Sequence, residues 1–167
     1  ASMTKPITSV AAMMLYEEGY FQLDDPVSKY IPEFKDLKVF SSNEQDGIHL
    51  VDQIRPMTIR DLLLHTSGLT YGLFGNTPVD SIYRAVNLFE GTLKDMIQKL
   101  SKIPLLCQPG SEWNYSVSAD VLGYLIEVFS GKPLNEFLKE RIFNPLKMKD
   151  TDFYVPKEKI NRLAALY

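Results

Sequence analysis

The clearest indication of the architecture of this chain is the stretch SMTKPITSVAAMMLYEEG, residues 2–19. Ile7, Val10 and Met14 recur at helical spacing, which predicts a helix with one apolar face. Gly19 follows as a typical helix stop. The pattern therefore predicts a helix that occupies most of this stretch.

Ser2 and Lys5 are three positions apart, so they fall on one face of the predicted helix, about one turn from each other. Pro6 fits the first turn, where its missing N–H costs little, and places the helix start close to Ser2. A lysine shielded from water can take the proton of a serine hydroxyl, and a helix N-terminus favours a developing oxyanion. Alone, the match is weak, since about one chance occurrence is expected in such a chain. The alternative is a capping serine beside a solvated lysine.

Composition excludes several classes of function. The 167 residues are 45% apolar and 23% charged, with a net charge of −3, which is ordinary for a globular domain. No cluster of basic residues stands out, so we expect no nucleic-acid partner, and no apolar run suggests a membrane span. The two histidines, His49 and His65, and the single Cys107 predict no metal site, no internal disulfide and no cofactor.

The rest of the chain is predicted to be mainly helical. The predicted helices are one from Pro26 to Ile31, one capped by Thr58 with Asp61 and closed by Gly68, one over 78–90, one capped by Thr92 through Leu100, one over 118–130 and one from Pro133 to Phe143. Residues 36–56 read as a long loop with room for a short hairpin. Candidate short strands lie near 20–24, 48–54 and 151–155.

Tyr115 is a second candidate for chemistry, because it stands on a loop just before the helix over 118–130. A nearby lysine would lower the pKa of its hydroxyl, which could then move protons. The alternative is an aromatic ring that anchors the loop to the core, the role we expect for Trp113. His65 and Ser67 suggest a catalytic triad only superficially, since side chains two apart in a helix do not face each other.

The order of six short segments carries more information than any one of them. They are Ser2-Met3-Thr4-Lys5-Pro6, Leu23-Asp24-Asp25-Pro26-Val27, Leu62-Leu63-Leu64-His65-Thr66-Ser67-Gly68-Leu69, Pro109-Gly110 before Tyr115-Ser116, Asp120-Val121-Leu122-Gly123, and Asn144-Pro145-Leu146-Lys147-Met148. From residue 1 to about 155, this order resembles the serine β-lactamase-like superfamily. That superfamily holds class C β-lactamases, D-Ala-D-Ala carboxypeptidases and family VIII carboxylesterases.

The resemblance implies a fold and a set of catalytic residues. Ser2 would be the nucleophile, and Lys5 and Tyr115 would share the proton transfers of acylation and deacylation. Residues 1–167 would be the mainly α, helical part of a single β-lactamase-like catalytic domain of α+β fold. Its antiparallel sheet, including a Lys-Thr-Gly-type strand, would lie mostly outside this chain. The partners implied are a small-molecule ester and the remainder of the same catalytic domain.

Val117 departs from the family's Tyr-x-Asn pattern, because it stands two residues after Tyr115 in place of asparagine. Valine cannot bond a substrate amide or the catalytic lysine. Together with Trp113 two residues before the tyrosine, this favours a family VIII-like esterase acting on short-chain esters. The alternatives are a β-lactamase, a D-amino-acid peptidase or acyltransferase of the same fold, and a non-catalytic fragment that only binds ligands.

Overall fold

The computed structural model describes residues 2–44 and 47–165 of the chain. Six helices are present in these residues: α1 Thr4–Glu17, α2 Ile59–Leu64, α3 Pro78–Ala85, α4 Leu93–Leu100, α5 Ser118–Ser130 and α6 Leu134–Leu138. One antiparallel hairpin joins β1, Val39–Glu44, to β2, Gly47–Val51. The remaining turns are 3₁₀ segments at Val27–Lys29, Pro32–Phe34 and Lys157–Arg162, and a π segment at Lys139–Phe143. Among the helices described, none is long and apolar enough to cross a membrane.

Helix α5 is the centre of the core, because α1, α2, α4 and α6 all contact it. Its Val121 and Ile126 are fully buried, and α1 turns the buried residues Ala11 and Leu15 inward. A helix that is apolar on most sides belongs inside a bundle, which is the position observed. The mainly helical prediction is confirmed, and α5 has the predicted bounds, ending at Gly131 with a left-handed φ of 67°.

Three helices begin with the same capping box, in which a threonine and an aspartate three residues later exchange hydrogen bonds. The pairs are Thr58 with Asp61, Thr77 with Asp80, and Thr92 with Asp95. The threonine hydroxyl accepts from the aspartate N–H, and the carboxylate accepts from the threonine N–H, so donors at each helix start are satisfied locally. The caps predicted at Thr58 and Thr92 are confirmed.

Several predicted helices are shorter or of another type. Pro26 has an extended ψ of 132°, and the Val27 N–H donates to Met57 O at 2.8 Å, so the expected helix from Pro26 to Ile31 is a 3₁₀ turn. Pro32, predicted to end it, starts a second 3₁₀ turn. The helix over 78–90 stops at Ala85, before Asn87 adopts a φ of 47°. The helix from Pro133 to Phe143 changes from α to π geometry after Leu138.

The strand predictions hold only in the middle of the chain. Residues 36–56 contain the hairpin, whose register shifts between Phe40 and Ser42. Residues 20–24 form no strand. The Leu23 carbonyl instead accepts a hydrogen bond of 2.8 Å from the N–H of Arg60, in the first turn of α2. Residues 151–155 form bends without strand pairing to any described residue. Both strand predictions are therefore wrong. In residues 20–24 a backbone carbonyl is used by a tertiary contact, and residues 151–155 have no strand partner among the described residues.

Candidate active site

Ser2 lies in a turn immediately before α1. Its carbonyl accepts from Lys5 N at 3.2 Å, and its side chain is exposed. The N-cap position is Met3, which has no side-chain cap hydrogen bond. The predicted helix start near Ser2 is therefore right to within two residues. The alternative role of Ser2 as a capping residue is not observed, which leaves its hydroxyl available at the helix N-terminus.

Tyr115 is brought to the first turn of α1 by the loop that precedes α5. Lys5 Nζ lies 4.8 Å from the centroid of the Tyr115 ring. Two hydrogen bonds lower the pKa of the Tyr115 hydroxyl below its ordinary value. The larger effect comes from the bond to Lys5, and the smaller one from the bond to the Ser2 side chain. The structure thus places all three residues predicted from the sequence, Ser2, Lys5 and Tyr115, in one cluster.

Contact with Tyr115 favours the charged form of Lys5. The hydrogen bond to Tyr115 is the largest influence on its pKa, and it outweighs burial and raises the pKa above its ordinary value. The ammonium therefore stays protonated at neutral pH, and the phenol beside it becomes the more acidic partner. In this arrangement Lys5 favours the phenolate form of Tyr115, which is the form that can accept a proton.

Two further groups at this cluster were not predicted. Tyr71 lies with its ring centroid 5.8 Å from Lys5 Nζ, and burial is the main cause that raises the pKa of its hydroxyl. Asp120 stands in the first turn of α5, where burial raises the pKa of its carboxyl and the charge of Lys5 opposes that rise. Asp120 opens one of the six ordered segments but has no predicted role at the site, and the sequence gives no signal for Tyr71.

Aromatic rings surround Tyr115 on several sides. The centroid distances are 5.0 Å to His65, 5.2 Å to Tyr71, 6.0 Å to Phe74 and 6.2 Å to Trp113. Trp113 stacks on Tyr115 at an interplanar angle of 18° while remaining 68% exposed. Trp113 also meets the His65 ring edge-on at 6.3 Å, so it packs on the rings of this cluster, and these contacts hold the phenol ring in place.

Three buried serine hydroxyls form a chain that ends on His65. Ser67 Oγ lies 2.8 Å from Ser118 Oγ, Ser118 Oγ lies 2.8 Å from Ser116 Oγ, and Ser116 Oγ lies 3.3 Å from His65 Nδ1. The backbone N–H of Ser116 also donates to Nδ1, so the neutral ring carries its proton on Nε2. Burial, and then the charge of Lys5, lower the pKa of His65 and keep it neutral. His65 contacts Ser116 and not Ser67. The two-residue spacing of His65 and Ser67 predicted that those two side chains do not face each other.

The backbone holds the two loops of the site together. Asn114 N–H donates to His65 O, and Asn114 Nδ2 donates to Leu69 O, both at 2.8 Å. Gly68 has a φ of 83°, and a Cβ there would come 2.4 Å from Cys107 O. The close approach of these segments therefore requires glycine. These contacts thus fix the loop that carries Tyr115 against the segment that follows α2.

A groove of about 560 Å³ opens beside this cluster. Ser2, Lys5, Tyr71 and Asp120 line one end of it, and apolar side chains line much of the rest. In the described parts of the chain, no group of three or more histidine, cysteine, aspartate or glutamate residues is placed to hold a metal ion.

Comparison with known proteins supports a hydrolase lineage. A family model described as Beta-lactamase matches residues 1–167. Esterase EstB from Burkholderia gladioli is 35% identical over 160 residues, which are 92% of this chain and 37% of that protein. The solved structure described as "EstCE1, a hydrolase with promiscuous acyltransferase activity" has a TM-score of 0.76 and 33% identity, and the match covers 95% of this chain and 40% of that one.

A Beta-lactamase/D-alanine Carboxypeptidase from Yersinia pestis, crystallised with citrate, has a TM-score of 0.71 and 28% identity. That match covers 99% of this chain and 43% of the other. The chain therefore spans less than half the length of each of these relatives. Its helices form part of the β-lactamase/transpeptidase-like fold. On the family match over residues 1–167, the chain belongs to the Beta-lactamase family.

Proposed function

We propose that the protein hydrolyses carboxylic esters through an acyl-enzyme on Ser2. The observation that carries this proposal is the meeting of Ser2, Lys5 and Tyr115, with the pKa of Tyr115 lowered by the other two. A serine hydroxyl becomes an effective nucleophile when a positioned base accepts its proton. Tyr115 supplies that base, and Lys5 supplies the cation that lowers the pKa of the phenol and so favours its phenolate form.

The proposed reaction has two halves. In acylation, Tyr115 takes the proton of Ser2 Oγ as that oxygen attacks the ester carbonyl, and then returns it to the departing alcohol. In deacylation, Tyr115 takes a proton from water as the water attacks the acyl-serine, and then returns it to Ser2 Oγ as the acid leaves. The uncapped N-terminus of α1 favours the negative charge that develops on the carbonyl oxygen.

Residues 1–167 form, in this proposal, the helical part of a single catalytic domain. The support is that the chain matches 40% of EstCE1 across 95% of its own length. The substrate then binds between the helices described above and the remaining part of that domain. All activity measurements below therefore use the complete protein.

Acyl transfer to an alcohol is the second candidate, because the acyl-enzyme can react with an alcohol as well as with water. The description of EstCE1 as a hydrolase with promiscuous acyltransferase activity favours it over β-lactam cleavage. Val117 disfavours β-lactam cleavage, since it is fully buried and offers no amide to the cleft. Product analysis with p-nitrophenyl butyrate, with and without added methanol, separates transfer from hydrolysis.

The test replaces the nucleophile in the complete protein. Ser2→Ala should abolish both p-nitrophenyl butyrate turnover and covalent labelling by a fluorophosphonate. Tyr115→Phe keeps the ring contacts and should lower turnover at least about 100-fold. Ser28→Ala, in the 3₁₀ turn Val27–Lys29, is the matched control and should retain both properties. Undiminished turnover by Ser2→Ala would overturn the proposal, and efficient nitrocefin cleavage would assign the site to lactams instead.

A further inference from the structure

His65 takes no part in the proposed proton transfers, yet it contacts the loop of the proposed base on both sides of Tyr115. We propose that His65 is a positioning residue, whose ring nitrogen Nδ1 fixes the peptide that follows Tyr115 and so holds the phenol beside Lys5. This inference rests on the proposed role of Tyr115 and specifies what keeps that side chain in place. All the groups that carry it belong to this chain, so it does not depend on the remaining part of the catalytic domain.

Two hydrogen bonds join the tyrosine loop to His65. Before the tyrosine, the Asn114 N–H donates to the His65 carbonyl at 2.8 Å. After it, the Ser116 N–H donates to His65 Nδ1 at 3.3 Å. The imidazole and phenol rings also pack together, with centroids 5.0 Å apart. A single residue therefore restrains the backbone before and after Tyr115, and loosening either bond would let the phenol move relative to Lys5.

A buried hydroxyl network surrounds the bond to Nδ1. The Ser116 hydroxyl also lies 3.3 Å from this nitrogen, and the network continues through Ser118 to Ser67 in steps of 2.8 Å. All three serines have no exposed surface. A buried N–H needs an acceptor within the protein, and a ring nitrogen without a hydrogen supplies it here. The ring of His65 therefore completes a network that determines where the tyrosine loop lies.

His65 has a backbone conformation that histidine adopts only at a cost. It ends α2 with a φ of 57° and a ψ of 36°, in the left-handed region. Its N–H donates to Leu62 O at 3.4 Å, so it is anchored to a helix that packs on α5. Glycine or asparagine suits such a helix end better. A costly residue at this place points to a role beyond ending the helix, and the contact with Ser116 supplies one.

The experiment compares His65→Gly with His65→Asn in the complete protein. Both residues tolerate the left-handed backbone and both remove the ring, but asparagine Oδ1 stands at the same side-chain position as Nδ1 and can accept from the Ser116 N–H. The pair therefore separates the acceptor from the ring and from the strain. With p-nitrophenyl butyrate, His65→Gly should lower kcat at least about 10-fold and change KM little, because a misplaced base slows the reaction without weakening binding. His65→Asn should stay within about threefold of the unmodified protein.

A second measurement follows the phenol without any substrate. The ultraviolet difference between each protein and its Tyr115→Phe counterpart, recorded across pH, gives the pKa of Tyr115. This pKa should rise in His65→Gly, because the hydrogen bond to Lys5 that lowers it becomes looser, and it should stay unchanged in His65→Asn. Lys147→Gly is the matched control, since Lys147 is exposed, has a φ of 56° and does not line the groove beside Ser2. It should change neither measurement.

The two variants distinguish a positioning role from a merely structural one. A His65→Gly protein that is folded by circular dichroism and keeps both the original kcat and the original Tyr115 pKa would overturn the proposal. Low activity in a folded His65→Asn protein would overturn it by itself, whether or not His65→Gly folds. Ester turnover by Ser2→Ala would instead overturn the proposed reaction, and the pKa of Tyr115 would still test the positioning role.

Discussion

The helices of this chain begin in two different ways. At α2, α3 and α4 the first N–H groups are bonded by the chain's own threonine and aspartate side chains. At α1 and α5, the helices that bring Lys5 and Asp120 to the candidate site, the N-cap residues are Met3 and Val117, and neither makes a side-chain cap hydrogen bond.

This difference separates stability from chemistry. A capping box stabilises a helix but also consumes the donors that an anion would otherwise use. The uncapped start of α1 gives up part of that stabilisation and leaves the positive end of its dipole beside Ser2. We therefore expect mutations at the capped starts of α2, α3 and α4 to change mainly the stability of the protein. Mutations at the uncapped starts of α1 and α5 should change mainly its activity.

The largest expected effect comes from Lys5 at the uncapped end. Lys5→Met removes the cation that lowers the pKa of Tyr115, so that pKa should rise toward its ordinary value of 10.0. The phenolate fraction at neutral pH then falls, turnover should drop at least about 100-fold, and the rising limb of the pH–rate profile should move to higher pH.

A second lysine–tyrosine pair provides the control for that prediction. Lys29 Nζ lies 5.0 Å from the centroid of the Tyr30 ring, in an ion pair with Asp25 and far from Ser2 in the fold. Lys29→Met should leave the pH–rate profile where it is. A Lys5→Met profile with an unchanged midpoint would contradict the role given to the cation.

A smaller effect, on stability, is expected at the capped start of α2. Burial raises the pKa of Asp61, but hydrogen bonds from Arg55, Thr58 and Thr66 lower it more, to about 2. Because the folded-state pKa lies below the ordinary value of 3.8, this carboxylate stabilises the fold above about pH 4. That contribution of about 2 kcal/mol is lost as the pH falls from about 4 toward 2.

Asp61→Asn should lower the free energy of unfolding by about 2 kcal/mol at pH 7 and flatten this acid limb. Urea unfolding followed by circular dichroism between pH 3 and 7 measures both changes. Asp24→Asn removes an exposed carboxylate bonded to Arg60 and should change stability little. An acid limb that persists unchanged in Asp61→Asn would assign it to other groups.

The smallest effect is expected at the exposed cap of α4. Thr92→Ala removes the hydroxyl that accepts from Asp95 N at 3.2 Å, so the free energy of unfolding should fall by about 1 kcal/mol. Thr92→Ser keeps that hydroxyl and should restore most of the loss. If the alanine and serine variants unfold at the same urea concentration, the cap does not stabilise α4.

Local patterns in the sequence predicted a large part of this fold. The apolar spacing of α1 and α5, the caps at Thr58 and Thr92, and the stop at Gly131 all depend on residues within a few positions of each other. The predictions failed where distant backbone groups intervene, as at residues 20–24, where the Leu23 carbonyl accepts from Arg60 N at the start of α2. Periodicity cannot report such contacts.

The amino-acid sequence alone placed Ser2, Lys5 and Tyr115 as candidates, because each motif and its order are local facts of the chain. Tertiary structure decided which of them lies in position to hold the proton. Folding brings Lys5 to 4.8 Å from the Tyr115 ring centroid, where the hydrogen bond between the two side chains raises the pKa of the lysine and lowers that of the phenol. It also brought Tyr71 and Asp120 to the same cluster, since burial and electrostatic interaction depend on distance in space.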